Sequence, residues 1–136
     1  MKKIKTVVLL FVVFSLLITS LAGCGKSTNT VETCVLSTEQ YAEKTALESA
    51  VQPEYFETSQ DIYASVHFIE SPLGMEYTGK WYINGNEVKT ETKEMTTDKS
   101  GIIIFSLEAD KLTVGTVRFE IVYSDDILFT KELTVQ

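Results

Sequence analysis

The chain has 136 residues, with twelve Lys and Arg against nineteen Asp and Glu, a formal charge of −7, and 44% hydrophobic residues. That length suits one small domain rather than two independent cores. Arg118 is its only arginine, so the clustered cations that counterion-driven binding requires are missing and no nucleic-acid partner is expected.

At the start, Lys2, Lys3 and Lys5 precede an apolar run from Thr6 to Leu17, interrupted only by Ser15 before Ile18, the layout of a secretory signal peptide. A transmembrane helix of about 17 to 25 residues is the rival reading. The tetrapeptide that follows, Leu21-Ala22-Gly23-Cys24, resembles the lipobox of bacterial lipoproteins. In that family a diacylglyceryl group is attached to the cysteine and a peptidase cuts just before it. The resemblance implies that residues 1–23 are a lipoprotein signal peptide and that Cys24 is the lipidated N-terminus. It places the mature chain at the cell membrane, lipid-anchored on the extracytoplasmic face. Two acyl chains, at about 0.8 kcal/mol per buried methylene, make such an anchor effectively permanent. All three leader lysines and none of the acidic residues would be removed, leaving a formal charge of −10 from nine cations and nineteen anions.

Residues 24–52 read as a lipidated tether with a short helix. Gly25 to Glu32 is too polar to bury. Ser37-Thr38-Glu39-Gln40 has capping-box spacing ahead of Tyr41, Ala42, Ala46, Leu47 and Ala50. The alternative takes Val35-Leu36 as a first strand with an irregular connection after it. Cys34 falls in this stretch as an unpaired thiol once Cys24 is consumed, and no cationic neighbour in sequence activates it.

From residue 53 to 136 the pattern is strand alternation. Tyr55-Phe56 is a short edge piece. Ile62, Ala64, Val66 and Phe68 share one face, and Tyr77, Gly79, Trp81 and Ile83 share another, with Lys80 and Tyr82 opposite. Asn84-Gly85 is a two-residue hairpin signal, because a type I′ turn needs positive φ at both centres. The strand it opens alternates Val88, Thr90 and Thr92 with Lys89, Glu91 and Lys93, a charge pattern that suits a sheet edge. Asp98-Lys99-Ser100-Gly101 turns into the β-branched run Ile102-Ile103-Ile104-Phe105. Val117, Phe119, Ile121 and Tyr123 alternate in the next strand, and Asp125-Asp126 turns into the last, Ile127 to Val135. The expected fold class is all-β, a sandwich of about seven antiparallel strands.

These strands resemble small Ig-like domains of bacterial surface lipoproteins. The likeness rests on Asp61-Ile62-Tyr63-Ala64-Ser65-Val66, on Gly79-Lys80-Trp81-Tyr82-Ile83-Asn84-Gly85 with Trp81 in the place of the core tryptophan, and on the two closing strands from Gly115 and Lys131. The inter-sheet disulfide of antibody domains is absent, which leaves the core to hydrophobic packing.

No pattern of nucleophile, base and orienting group is visible. The lone imidazole, His67, lies opposite the apolar face of its strand and reads as a solvent-facing or half-buried structural residue. No metal-ligand spacing occurs, although Asp98, Asp110, Asp125 and Asp126 all fall in turns, and no metal or cofactor is expected. The chain is expected not to be an enzyme. The expectation is a lipid-anchored, extracytoplasmic Ig-like binding or scaffolding module of the cell envelope. Its partners would be the membrane, through the lipid on Cys24, and an envelope protein or glycan. Pro72, Leu73 and Met75 in the loop Ser71-Pro72-Leu73-Gly74-Met75, together with Tyr82, are the candidate contact residues. The alternative is an inhibitor or accessory subunit of an envelope enzyme that uses that loop as a wedge.

Overall fold

The computed structural model describes residues 30–136; the expected signal peptide, the lipobox-like tetrapeptide with Cys24 and the first part of the expected tether lie outside the described residues. The described chain is an Ig-like β-sandwich. A three-stranded sheet contains β1 (Thr30–Ser37), β3 (Ile62–Ile69) and β6 (Ser100–Leu107), in the order β1-β3-β6. A five-stranded sheet contains β2 (Tyr55–Phe56), β4 (Glu76–Ile83), β5 (Asn86–Glu94), β7 (Gly115–Tyr123) and β8 (Asp126–Val135), in the order β2-β8-β7-β4-β5.

The alternating residues meet between the sheets. Ile62, Ala64, Val66 and Phe68 from β3 face Tyr77, Trp81 and Ile83 from β4 and Val117, Phe119 and Ile121 from β7, all in one core. Aromatic rings join the layers: Phe68 stacks on Tyr77 at 4.0 Å, and Phe119 lies 4.5 Å from Trp81 and 5.5 Å from Phe105. Gly79 lets β4 approach β6, since a Cβ there would sit 2.5 Å from a ring carbon of Phe105. Asn84 and Gly85 take φ of 50° and 83°, the conformation that a two-residue primed turn demands.

Among the described residues eight strands form rather than about seven, and one pairing is parallel: Tyr55 and Phe56 lie beside Thr134 and Val135 of β8. The added strand is β1. Its residues Cys34, Val35, Leu36 and Ser37 are buried and pair with Val66, Ser65, Ala64 and Tyr63, so the sandwich includes Thr30–Ser37, ahead of the boundary expected at 53. The pairing also takes Ser37 out of any helix cap. Ser37 Oγ instead accepts a local bond from Glu39 N–H, and the only α-helix among the described residues, α1 (Lys44–Ser49), starts later behind Glu43. Residues 38–50 then cross the outer face of the three-stranded sheet, where Leu47 is buried and Tyr41 N–H donates to Ser65 Oγ at 3.0 Å. This cover buries His67 more fully than the solvent-facing or half-buried position that the alternation predicts. Burial on both faces of β3 thus comes from two sources, the opposing sheet and the crossing segment.

Candidate functional site

Strand register fixes two opposite ends. Thr30, where the described chain begins, pairs with Ile69, and Ile69 also pairs with Ser100. The β3-β4 loop, the β5-β6 loop and the β7-β8 turn therefore gather at the end where the chain enters. At the other end lie Ser37, the Asn84-Gly85 turn, the 3-10 turn Ala109–Lys111, and β2 beside Val135.

The loop singled out from sequence is at the entry end and is firmly held. Ser71 is buried, its N–H donates to Lys99 O at 2.9 Å, and its hydroxyl is hydrogen-bonded to that of Tyr77. Burial raises the Tyr77 phenol above its ordinary pKa, with the Ser71 bond acting in the opposite direction. Gly74 N–H reaches Met95 O at 2.9 Å, and Leu73 N–H reaches Asp98 Oδ1 at 3.2 Å. Met75 packs partly against the core, with its sulfur 3.9 Å from the Tyr123 hydroxyl. Of the named contact residues in this loop, Pro72 and Leu73 are exposed, Leu73 at 62%.

Tyr82 is not brought to that loop. It sits near the opposite end of β4, on the outer face of the five-stranded sheet, under the guanidinium of Arg118 at 4.2 Å from the ring centroid. Arg118 Nε in turn lies 3.2 Å from Glu120 Oε1. The ring is half-covered by its own neighbours.

A cleft missed by the sequence reading opens at the far end. Thr38, Pro53, Glu54, Tyr55, Phe56, Glu57 and Gln60 line about 440 Å³. Phe56 is buried beneath it while Tyr55 is 48% exposed, the alternation of a strand with one solvent face. An exposed aromatic ring flanked by two carboxylates, an amide and a hydroxyl can stack on an apolar face and exchange hydrogen bonds with a polar partner. The signal was in the sequence as the Tyr55-Phe56 alternation; its two-residue length hid it.

His67 Nδ1 lies 2.8 Å from Glu32 Oε2, across the β1-β3 pairing, beside a cavity of about 370 Å³ bordered by Ala42, Lys44, Thr97 and Ile102. Cys34 is a free thiol within β1, not in a tether. Burial pushes it up to about 12, against the opposing pull of the Lys131 charge. No group of three or more His, Cys, Asp or Glu side chains is arranged to hold a metal ion among the described residues. No helix among them is long and apolar enough to cross a membrane.

No protein-family model matches the chain, and no curated protein matches it in sequence. Solved structures do resemble it in fold. An immunoglobulin-like protein from Pseudomonas aeruginosa superimposes with a TM-score of 0.53 at 10% identity, over 84% of this chain and 100% of that one. The C-terminal domain of wzt gives 0.51 at 12% identity, over 82% of this chain and 75% of the other. A β-glucosidase from Erythrobacter marinus gives 0.50 at 8% identity over 79% of this chain, which spans only 15% of that enzyme's length. At these identities the likeness is one of fold.

Proposed function

We propose that this chain is a non-catalytic, lipid-anchored Ig-like module on the extracytoplasmic face of the cell membrane, which holds an envelope protein or glycan through the cleft around Tyr55. The lipobox-like Leu21-Ala22-Gly23-Cys24 supplies the anchor, and the sandwich supplies the rigid platform. The observation that carries the reading is the opposition of the two ends. The chain enters at Thr30, whereas the Tyr55 cleft lies at the far end of the strands, where an anchor leaves it accessible. Confinement to the membrane raises the effective concentration of the module near envelope partners, so a shallow cleft with modest affinity suffices.

The test combines the anchor with the cleft. Mass analysis of the purified mature chain is expected to show a diacylglyceryl group on Cys24, and Cys24→Ser to leave the precursor uncut or release the protein from membranes. A photo-crosslinker at position 55, in the intact envelope, is expected to give a discrete adduct that Glu54→Ala with Glu57→Ala weakens, while one at position 82 gives none. An unlipidated chain, or equal adducts from both positions, would overturn the reading.

A further inference from the structure

Leu73 is an unexplained residue: a large aliphatic side chain held out in water by a loop with no freedom to hide it. The residues on either side of the tip are drawn inward, Ser71 fully and Met75 partly. Hydrogen bonds pin the main chain between them, from Leu73 N–H to Asp98, Gly74 N–H to Met95 O, and Met75 N–H to Pro72 O. Core packing therefore uses the flanks and leaves the tip. A second exposed aliphatic, Ile127 at 60%, lies at the same end, beside the β7-β8 turn.

Chain length decides what that end faces. Five residues separate Cys24 from Thr30, and the six steps between them reach about 20 Å even when fully extended. The eight residues of β3 measure about 26 Å from end to end at the usual rise per residue. A tether shorter than the strands cannot let the sandwich turn over, so the entry end stays nearest the lipid. We infer that Pro72 and Leu73, supported by Ile127, form a contact with the lipid surface that fixes the orientation of the sandwich on the bilayer. This rests on the proposed anchoring at Cys24. The occupant is lipid because an apolar tip is what this end offers: its other groups are mainly carboxylates, with Glu70, Glu76, Asp98, Asp125 and Asp126 around the loops. Those carboxylates repel anionic headgroups and stay in the hydrated layer, which limits the contact to the tip. The Tyr55 cleft is thereby aimed away from the membrane.

The experiment uses the full chain, purified in lipidated form and reconstituted into phosphatidylcholine vesicles. Leu73→Cys and Val114→Cys proteins carry an environment-sensitive dye; Val114 is 69% exposed at the opposite end, and the native Cys34 is buried. The dye at 73 is expected to shift to the blue and to be quenched several-fold more by spin-labelled lipid than the dye at 114. Replacing half of the phosphatidylcholine by phosphatidylglycerol at low salt should weaken that difference. A water-like dye at 73 on a chain whose mass confirms the diacylglyceryl group overturns the contact while leaving the anchor intact. Equal quenching at both positions overturns it too, as does a shift at 73 seen only in native envelope membranes, which assigns the tip to a protein. A chain lacking the lipid mass overturns the anchor and, with it, this inference.

Discussion

The ammonium of Lys89 lies 2.7 Å from the carbonyl oxygen of Ser106, joining the edge strand of one sheet to the edge strand of the other. Its neighbours continue the join: Glu91 accepts from Ser106 N–H at 2.9 Å, and Lys93 donates to Ile104 O at 2.6 Å. Register puts Lys89, Glu91 and Lys93 opposite Trp81, Gly79 and Tyr77, on the side from which their ends reach the main chain of the other sheet. The opposite corner is closed in the same manner. Gln52 both accepts from Leu36 N–H and donates to Leu36 O, and Lys131 donates to Cys34 O at 3.1 Å. Side chains do at both corners what a further strand would do, satisfying main-chain groups that otherwise invite another chain to pair.

Replacing Glu91 by Leu and Lys93 by Met should therefore cost more through association than through unfolding. Losing these bonds is expected to reduce stability by about 1 to 3 kcal/mol in urea denaturation. The larger effect is exposure of the edge of Ile102-Ile103-Ile104-Phe105, a β-branched run without charge, which should produce concentration-dependent aggregation measurable by light scattering. A double variant that stays monomeric at high concentration would show that these charges do not guard the edge.

Lys89 also reaches Glu108 Oε1 at 2.7 Å, and this hydrogen bond is the main reason the Glu108 carboxyl is held below its ordinary value of 4.5. A depressed carboxyl pKa contributes stability that is present above the unfolded value and disappears as pH falls through the folded one. Acid should therefore weaken the corner beginning near pH 4.5, and Glu108→Gln should lower stability near neutrality and converge on the unsubstituted protein in acid, flattening the profile. Denaturation midpoints measured down this range provide the check, and identical acid profiles would remove Glu108 from the account.

Much of this architecture was legible because alternation reports burial directly. The four apolar residues of β3 and the row through Trp81 in β4 identified the two inner faces, and Asn84-Gly85 identified the hairpin. β1 was only a rival reading because Thr30-Val31-Glu32-Thr33 is polar and its burial depends on a strand far along the chain. The capping box at Ser37 was a local signal defeated by that long-range pairing. The full burial of His67 was hidden for the same reason, since the segment that covers it follows β1. In the candidate site, the exposure of Leu73 followed from its place in a turn, but its separation from Tyr82 required the strand register.

Gly79 gives a sharper test of how tightly the layers meet. A methyl group added there would lie 2.5 Å from Phe105 Cδ1, closer than atoms pack, and Phe105 is fully enclosed. Gly79→Ala should destabilise the sandwich by about 1 to 3 kcal/mol through overpacking. Combining it with Phe105→Leu should recover part of that loss, because the two substitutions act on one contact. Strictly additive losses in a double-mutant cycle would mean that the clash relaxes elsewhere.

Cys34 offers a readout of the whole fold from one buried atom. Its thiol holds its proton up to about 12 in the folded chain, chiefly because burial disfavours the thiolate, whereas an unfolded chain ionises it near 9.0. Above pH 9 the unfolded state has therefore lost a proton that the folded state keeps, and stability should fall as pH rises across the interval to 12. Cys34→Ala should reduce the slope of that decline. In the native protein at mildly alkaline pH, a maleimide should leave Cys34 unmodified, and the same reagent should modify it fully in denaturant, since the thiolate is the reacting form. Rapid labelling of the folded chain would require β1 to detach from β3 under native conditions. The strand that binds the entering chain to the sandwich would then be its weakest element, and a released β1 would lengthen the tether enough to let the sandwich turn over at the membrane.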